Sequence, residues 1–158
     1  ISEISITALD DESNNRLEDF ISVRNLNRNT VIMFDSDKNK PRAHLNPTKR
    51  RLKSEFDAGP GFAWVTDGRE IENYLDYDQV EKSVISVHPS AKELISKGKW
   101  ENLLKYKKKR TYEEKCASKV KVAKHYVENN SPDLNVFDLN KRISQLCDFI
   151  CRSNYLEN

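Results

Sequence analysis

Asp35 and Asp37 close a short apolar run, Val31-Ile32-Met33-Phe34, and stand two positions apart. Two carboxylates this close repel each other unless a positive charge lies between them, and oxygen-only ligands at such spacing suit a hard divalent cation. A second apolar run, Phe62 to Val65, ends in Thr66-Asp67-Gly68-Arg69-Glu70-Ile71-Glu72-Asn73-Tyr74-Leu75. Glu70 and Glu72 are again two apart. Both face one way if that stretch is extended; if a helix starts there, only one of them does. Several carboxylates at one rim, with a lysine nearby, are what metal-assisted hydrolysis of a phosphodiester requires. Taken alone, Asp-x-Asp is a weak signal, because Asp after a strand is common as a turn or cap residue.

These acids need strands to present them. Val31 to Phe34 is too apolar to alternate and too short for a helix, so it reads as a buried strand. Glu3 to Thr7 alternates as an earlier strand, and Asp10-Asp11-Glu12-Ser13 opens a helix carrying Leu17, Phe20, Ile21 and Leu26. Pro47 suits the first position of a helix to about Phe56. Asp57-Ala58-Gly59-Pro60-Gly61 breaks it before the Phe62–Val65 strand. The order β-α-β-α-β predicts an α/β fold with a parallel sheet flanked by helices, which places ligands at the carboxyl ends of its strands. Beyond Leu75 the pattern predicts a helical region: Tyr77 to Val87, a short helix over Ala91 to Ile95, then Tyr112 to Asn129 with Cys116, Val120, Ala123 and Val127 on one face, and Val136 to Ser153. Residues 1–76 thus form the expected α/β core and residues 77–158 a helical remainder of the same domain.

The chain has 158 residues, 37% hydrophobic and 33% charged, with a net charge of +2. That is enough for one domain, and no apolar run approaches the length of a membrane span. With no signal peptide in view, the expectation is a cytoplasmic protein without membrane contact. Its only methionine, Met33, lies inside a predicted strand, so the chain reads as a fragment or processed product. Charge is unevenly spread: Lys97 to Lys124 holds eleven Lys/Arg against Glu101, Glu113 and Glu114. Such a stretch reads equally as a solvated face or as a surface for a phosphate backbone. Cys116, Cys147 and Cys151 lack zinc-finger spacing and read as reduced thiols. His44, His88 and His125 have no partners at ligand spacing and read as surface or capping residues.

The segments Val31-Ile-Met-Phe-Asp-Ser-Asp-Lys38 and Trp64-Val-Thr-Asp-Gly-Arg-Glu-Ile-Glu-Asn-Tyr-Leu75 resemble the TOPRIM nuclease domain of OLD-family proteins (overcoming lysogenization defect). The resemblance covers residues 30–75 well and 112–129 more loosely. It implies a TOPRIM, Rossmann-like sheet and a divalent-metal-dependent endodeoxyribonuclease using Mg²⁺ or Mn²⁺ at a two-metal site. The family's metal-binding acids fall on Asp35, Asp37 and Glu72, with Glu70 nearby. Its catalytic lysine falls on Lys119, with Lys121 as second choice, and Glu72 joins Lys119 in the catalytic set. DNA would then lie along Lys105, Lys107, Lys108, Lys109, Arg110 and Lys121. The resemblance further implies an ABC-type ATPase domain upstream in the same polypeptide, homo-oligomers formed through it, and a role in anti-phage defence. The family's first strand, ending in a catalytic Glu, has no counterpart before Ser5: either it lies upstream of Ile1, or the site is incomplete and the domain degenerate.

Three other readings compete. A catalytically silent TOPRIM-like assembly domain would use the same fold to bind a partner protein or nucleic acid. A phosphoaspartyl receiver or phosphatase would need a single nucleophilic Asp with a Ser/Thr and a Lys at later strand ends, for which Thr66 alone offers itself. Primase or topoisomerase chemistry would require elements, such as a nucleophilic tyrosine, that nothing here identifies.

Overall fold

The computed structural model describes residue 27 and residues 29–155; the expected Glu3–Thr7 strand and the helix after it lie outside them. The described residues form a mixed α/β structure with one parallel strand pair, one antiparallel sheet of three strands and four α-helices. The chain divides into two compact units: the described parts of Ile1–Phe34, His44–Val65 and Ser144–Asn158 form one, and Asp35–Ala43 with Thr66–Ile143 the other.

In the first unit β1 (Ile32–Phe34) runs parallel to β2 (Ala63–Val65), with Met33 opposite Trp64. Between them lies α1 (Pro47–Asp57), whose start follows from local chemistry: Pro47 occupies the first turn, and the Asn46 side chain accepts from the Lys49 amide at 2.7 Å. Leu52 and Phe56, one turn apart, are fully buried against Ala63, Ile32 and Phe34. Past the helix, Asp57 Oδ1 accepts the Ala63 amide at 2.9 Å and so fixes the entry to β2. Gly61 is required by close approach, since a Cβ there would stand 1.8 Å from the Thr30 carbonyl oxygen. Phe149, on the later part of α4 (Leu139–Ser153), packs edge-on against Phe62. Trp64 is buried.

The second unit departs from the expected helical remainder. After a 3₁₀ turn (Ile71–Tyr74) and α2 (Tyr77–Val87), the chain forms β3 (Ala91–Leu94), β4 (Lys105–Lys108) and β5 (Glu114–Cys116), an antiparallel sheet in the order β3-β4-β5. The segment expected as a short helix over Ala91 to Ile95 is therefore a strand. Its burial misleads: Ala91 and Leu94 are both buried at a helix-like spacing of three, because an irregularity between Ala91 and Glu93 shifts the register against β4. The helix expected from Tyr112 begins only at Lys119 (α3, Lys119–Asn129), since Glu114 to Cys116 pair with β4.

That change moves the buried face. Val120 and Val127, expected inward, are exposed, whereas Val122 and Tyr126 pack with Val80, Val84, Leu94, Leu103 and Tyr106. The expected fourth helix starts at Leu139 rather than Val136, just after Phe137 adopts a left-handed backbone.

Candidate functional site

Two loop segments of the second unit are stitched side by side. The Ser36 amide donates to Thr66 Oγ1 at 2.9 Å, and the Ser36 hydroxyl donates to the Gly68 carbonyl at 2.6 Å. The Asp37 amide donates to the Arg69 carbonyl at 2.9 Å. The Ile71 amide donates to Asp35 Oδ1 at 2.8 Å, which places that carboxylate at the start of the 3₁₀ turn. Thr66 is buried with its hydroxyl also donating to the Gly68 carbonyl at 3.0 Å. It is committed to loop structure, which removes the phosphoaspartyl reading's main support.

Asn73 anchors the 3₁₀ turn that carries Glu72. It is fully buried; its Nδ2 donates to the carbonyls of Gly98 (2.8 Å) and Glu101 (3.0 Å), and its Oδ1 accepts the Glu70 amide at 2.7 Å. Gly68 sits tight against it: a Cβ there would lie 2.6 Å from the Asn73 Cβ. Tyr74 adds a second tie, its hydroxyl accepting the Asp67 amide and donating to Asp138. These residues explain why the stretch after β2 is neither an extended strand nor a regular helix, and why Glu72 is held inward while Glu70 is not equivalent to it.

Lys119 reaches the acids from the first turn of α3. Its Nζ lies 3.0 Å from Glu72 Oε1 and 3.9 Å from Asp35 Oδ2. A lysine in the first turn opposes the helix dipole, so the position is explained by its ion pairs rather than by helix propensity. Glu72 is 9% exposed at its side chain, and its Oε2 is buried with no hydrogen-bond partner. The residue before the helix is held by His88, whose Nε2 accepts the Ser118 amide at 3.0 Å; this fixes the proton of a neutral ring on Nδ1. His88 also stacks on Tyr106 and is thus a capping residue, as expected.

Electrostatics follow from this crowding. Burial pushes the Asp35 carboxyl above its ordinary value, with the neighbouring charges of Glu72 and Asp37 adding to the rise and Lys119 and the Ile71 amide opposing it. Burial likewise raises Glu70, reinforced by Glu72 and offset by Arg69. Glu70 Oε1 accepts from Arg69 and from Asn102, each at 3.3 Å. Asp37 is exposed, with φ of 55°.

Of the expected site residues, Asp35, Glu72 and Lys119 are therefore brought into direct association, Glu70 and Asp37 flank them, and Lys121 is exposed on α3 without an ion pair among the described residues. Among the described residues no group of three His, Cys, Asp or Glu is arranged to hold a metal ion. The basic residues split. Lys108 is paired with Glu113 at 2.9 Å, whereas Lys105, Lys107, Lys109 and Arg110 have no acidic partner among the described residues. Lys107 lies between Glu93 and Glu114 on the neighbouring strands. Ser36, legible in the sequence as a small polar turn residue, makes two of the ties that hold the loops together, whereas the positioning roles of Gly68 and His88 carry no sequence signal and that of Asn73 only its place as a polar residue inside the motif.

No known protein-family profile, curated protein or solved structure matches this chain. No helix among the described residues is long and apolar enough to cross a membrane.

Proposed function

We propose that this chain is the nuclease domain of an OLD-family, ATP-regulated enzyme that nicks or cleaves DNA using divalent metal, acting in cytoplasmic anti-phage defence. The observation that carries this reading is the convergence of Asp35, Glu72 and Lys119, three of the residues that the family resemblance assigns to metal and catalysis. What supports a hard cation is the donor chemistry: all the acids offer oxygen, and Glu72 has a buried oxygen without a partner. Asp35, Asp37 and Glu72 would hold Mg²⁺ or Mn²⁺, with Glu70 behind them. Bound metal would supply activation of water and polarisation of the scissile phosphate. Lys119 would stabilise negative charge growing on the phosphate oxygens. Lys105, Lys107, Lys109, Arg110 and Lys121 would hold the DNA backbone without reading sequence, and Lys108 would join them by exchanging Glu113 for phosphate. An ATPase domain in the same polypeptide would join copies into an oligomer and gate the activity.

The test is nicking of supercoiled plasmid by the full-length protein with Mn²⁺ or Mg²⁺. Loss of nicking in Asp35→Ala/Asp37→Ala and in Lys119→Ala is expected, by about 10²-fold or more. Unchanged nicking in the double variant rejects the reading.

A silent TOPRIM-like assembly domain is the second reading. It is favoured by the absence of a ready-made three-ligand group among the described residues and by the ion pairs that already occupy Asp35 and Glu72. Calorimetric titration with Mn²⁺ separates the two, since the assembly domain predicts no binding that depends on Asp35.

A further inference from the structure

The Nζ of Lys119 stands where a cation shared by Asp35 and Glu72 would stand, 3.9 Å from one carboxylate and 3.0 Å from the other. We infer that Lys119 is the resident counter-ion of this acid pair, and that a divalent cation enters only by displacing it, so that metal loading is the event that releases the lysine toward substrate. The inference rests on reading the acids as a cation site and adds a regulatory step to it.

Three features support an exchange rather than a fixed pair. Glu72 keeps one buried oxygen without a partner, so the ammonium leaves a donor unused that a second cation would engage. Lys119 begins α3 rather than lying within it, and its side chain is 37% exposed, so its ammonium borders solvent. The acids themselves are held from behind, Asp35 by the Ile71 amide and the Glu72 turn by Asn73, so they stay in place when the lysine leaves. A positive charge among carboxylates opposes entry of another positive charge; the protein therefore keeps the site neutralised and lowers its own affinity for metal.

The test uses the full chain and Mn²⁺ or Mg²⁺ as the probe. Calorimetry with Mn²⁺ should show that Lys119→Met binds at least about tenfold more tightly than the unaltered protein. Lys119→Gln, which retains a polar end, serves if the Met variant does not fold. In parallel, limited labelling with an amine-reactive reagent, read by mass spectrometry, should show Lys119 labelling rising on addition of Mg²⁺ while Lys105 is unchanged. Equal or weaker Mn²⁺ binding by the lysine variants overturns the inference while leaving the metal site standing, and so does Lys119 labelling indifferent to Mg²⁺. If neither the unaltered protein nor the variants bind Mn²⁺, the cation-site reading falls and takes the inference with it.

Discussion

The ammonium of Lys119 lies 3.0 Å from Oε1 of Glu72, a carboxylate whose other oxygen is buried and unpartnered. Breaking such a pair from the lysine side strands a charge in a poorly solvated place, while replacing both partners removes the problem. Because Lys119 is more than a third exposed, solvent weakens the effect. Lys119→Met should lower the unfolding free energy by about 1–3 kcal/mol, and adding Glu72→Gln should restore most of it. Urea denaturation of the two single variants and the double variant checks this; simple additivity would show that the pair is not coupled.

Asp35 gives a prediction of opposite sign. Its folded carboxyl is raised above the ordinary 3.8, mainly by burial, so the folded protein holds that proton more tightly than the unfolded chain. The stability it contributes is complete below the ordinary aspartate value and is lost as pH rises through the raised folded value. At neutral pH the charged carboxylate is thus a net cost. Asp35→Asn should raise Tm by about 2–6 °C near pH 7 in the presence of a chelator, with the gain shrinking toward pH 4. A Tm lowered at neutral pH would contradict it.

Asn73 is expected to be far more sensitive than its polar type suggests. Asn73→Ala deletes three hydrogen bonds to backbone groups around a fully buried position and should cost about 3–5 kcal/mol. Gly68→Ala forces a methyl group against the Asn73 Cβ and the Lys99 carbonyl, at a cost of about 1–3 kcal/mol. Chemical denaturation measures both, and wild-type stability in Asn73→Ala would refute the anchoring role.

Lys97 links two acids of α2, lying 2.7 Å from Asp78 and 2.8 Å from Glu81. Its hydrogen bond holds the Asp78 carboxyl below its ordinary value. Burial works against Glu81, but the same lysine and the Leu94 amide outweigh it and leave that group lowered too. Both acids contribute stability above their ordinary values that disappears as pH falls through the folded ones. Lys97→Met should therefore lower Tm at neutral pH and flatten the acid side of the Tm–pH curve. An acid limb as steep as that of the unaltered protein would reject this.

Much of the first unit was legible because local rules decided it. The apolar runs at Ile32–Phe34 and Ala63–Val65, Pro47 at a helix start and the break at Gly61 act over a few residues, and the parallel pairing follows from the β-α-β order. The three-stranded sheet was not legible. β4 is almost entirely basic, with only Tyr106 buried, and β5 is wholly exposed; neither carries the apolar alternation that announces a strand. Pairing between segments, not composition, makes them strands. At the site, Asp35 and Glu72 are legible as chemistry, Lys119 only through the family resemblance, and Ser36 as a turn residue; their union depends also on Asn73 and His88, whose roles arise only when distant segments meet.

Asp37 adopts a backbone φ of 55°, a conformation that most side chains resist and that Gly, Asn and Asp accept at little cost. The residue type at this position of the Asp-x-Asp pair is thus constrained by backbone geometry as well as by any chemistry. A divergent relative with Asn or Gly there would keep the loop intact while losing a carboxylate, and a β-branched residue would disrupt the loop itself. The second acid of the motif is therefore a weaker marker of metal chemistry than the first, and Asp35 with Glu72 is the pairing by which kinship of function should be judged.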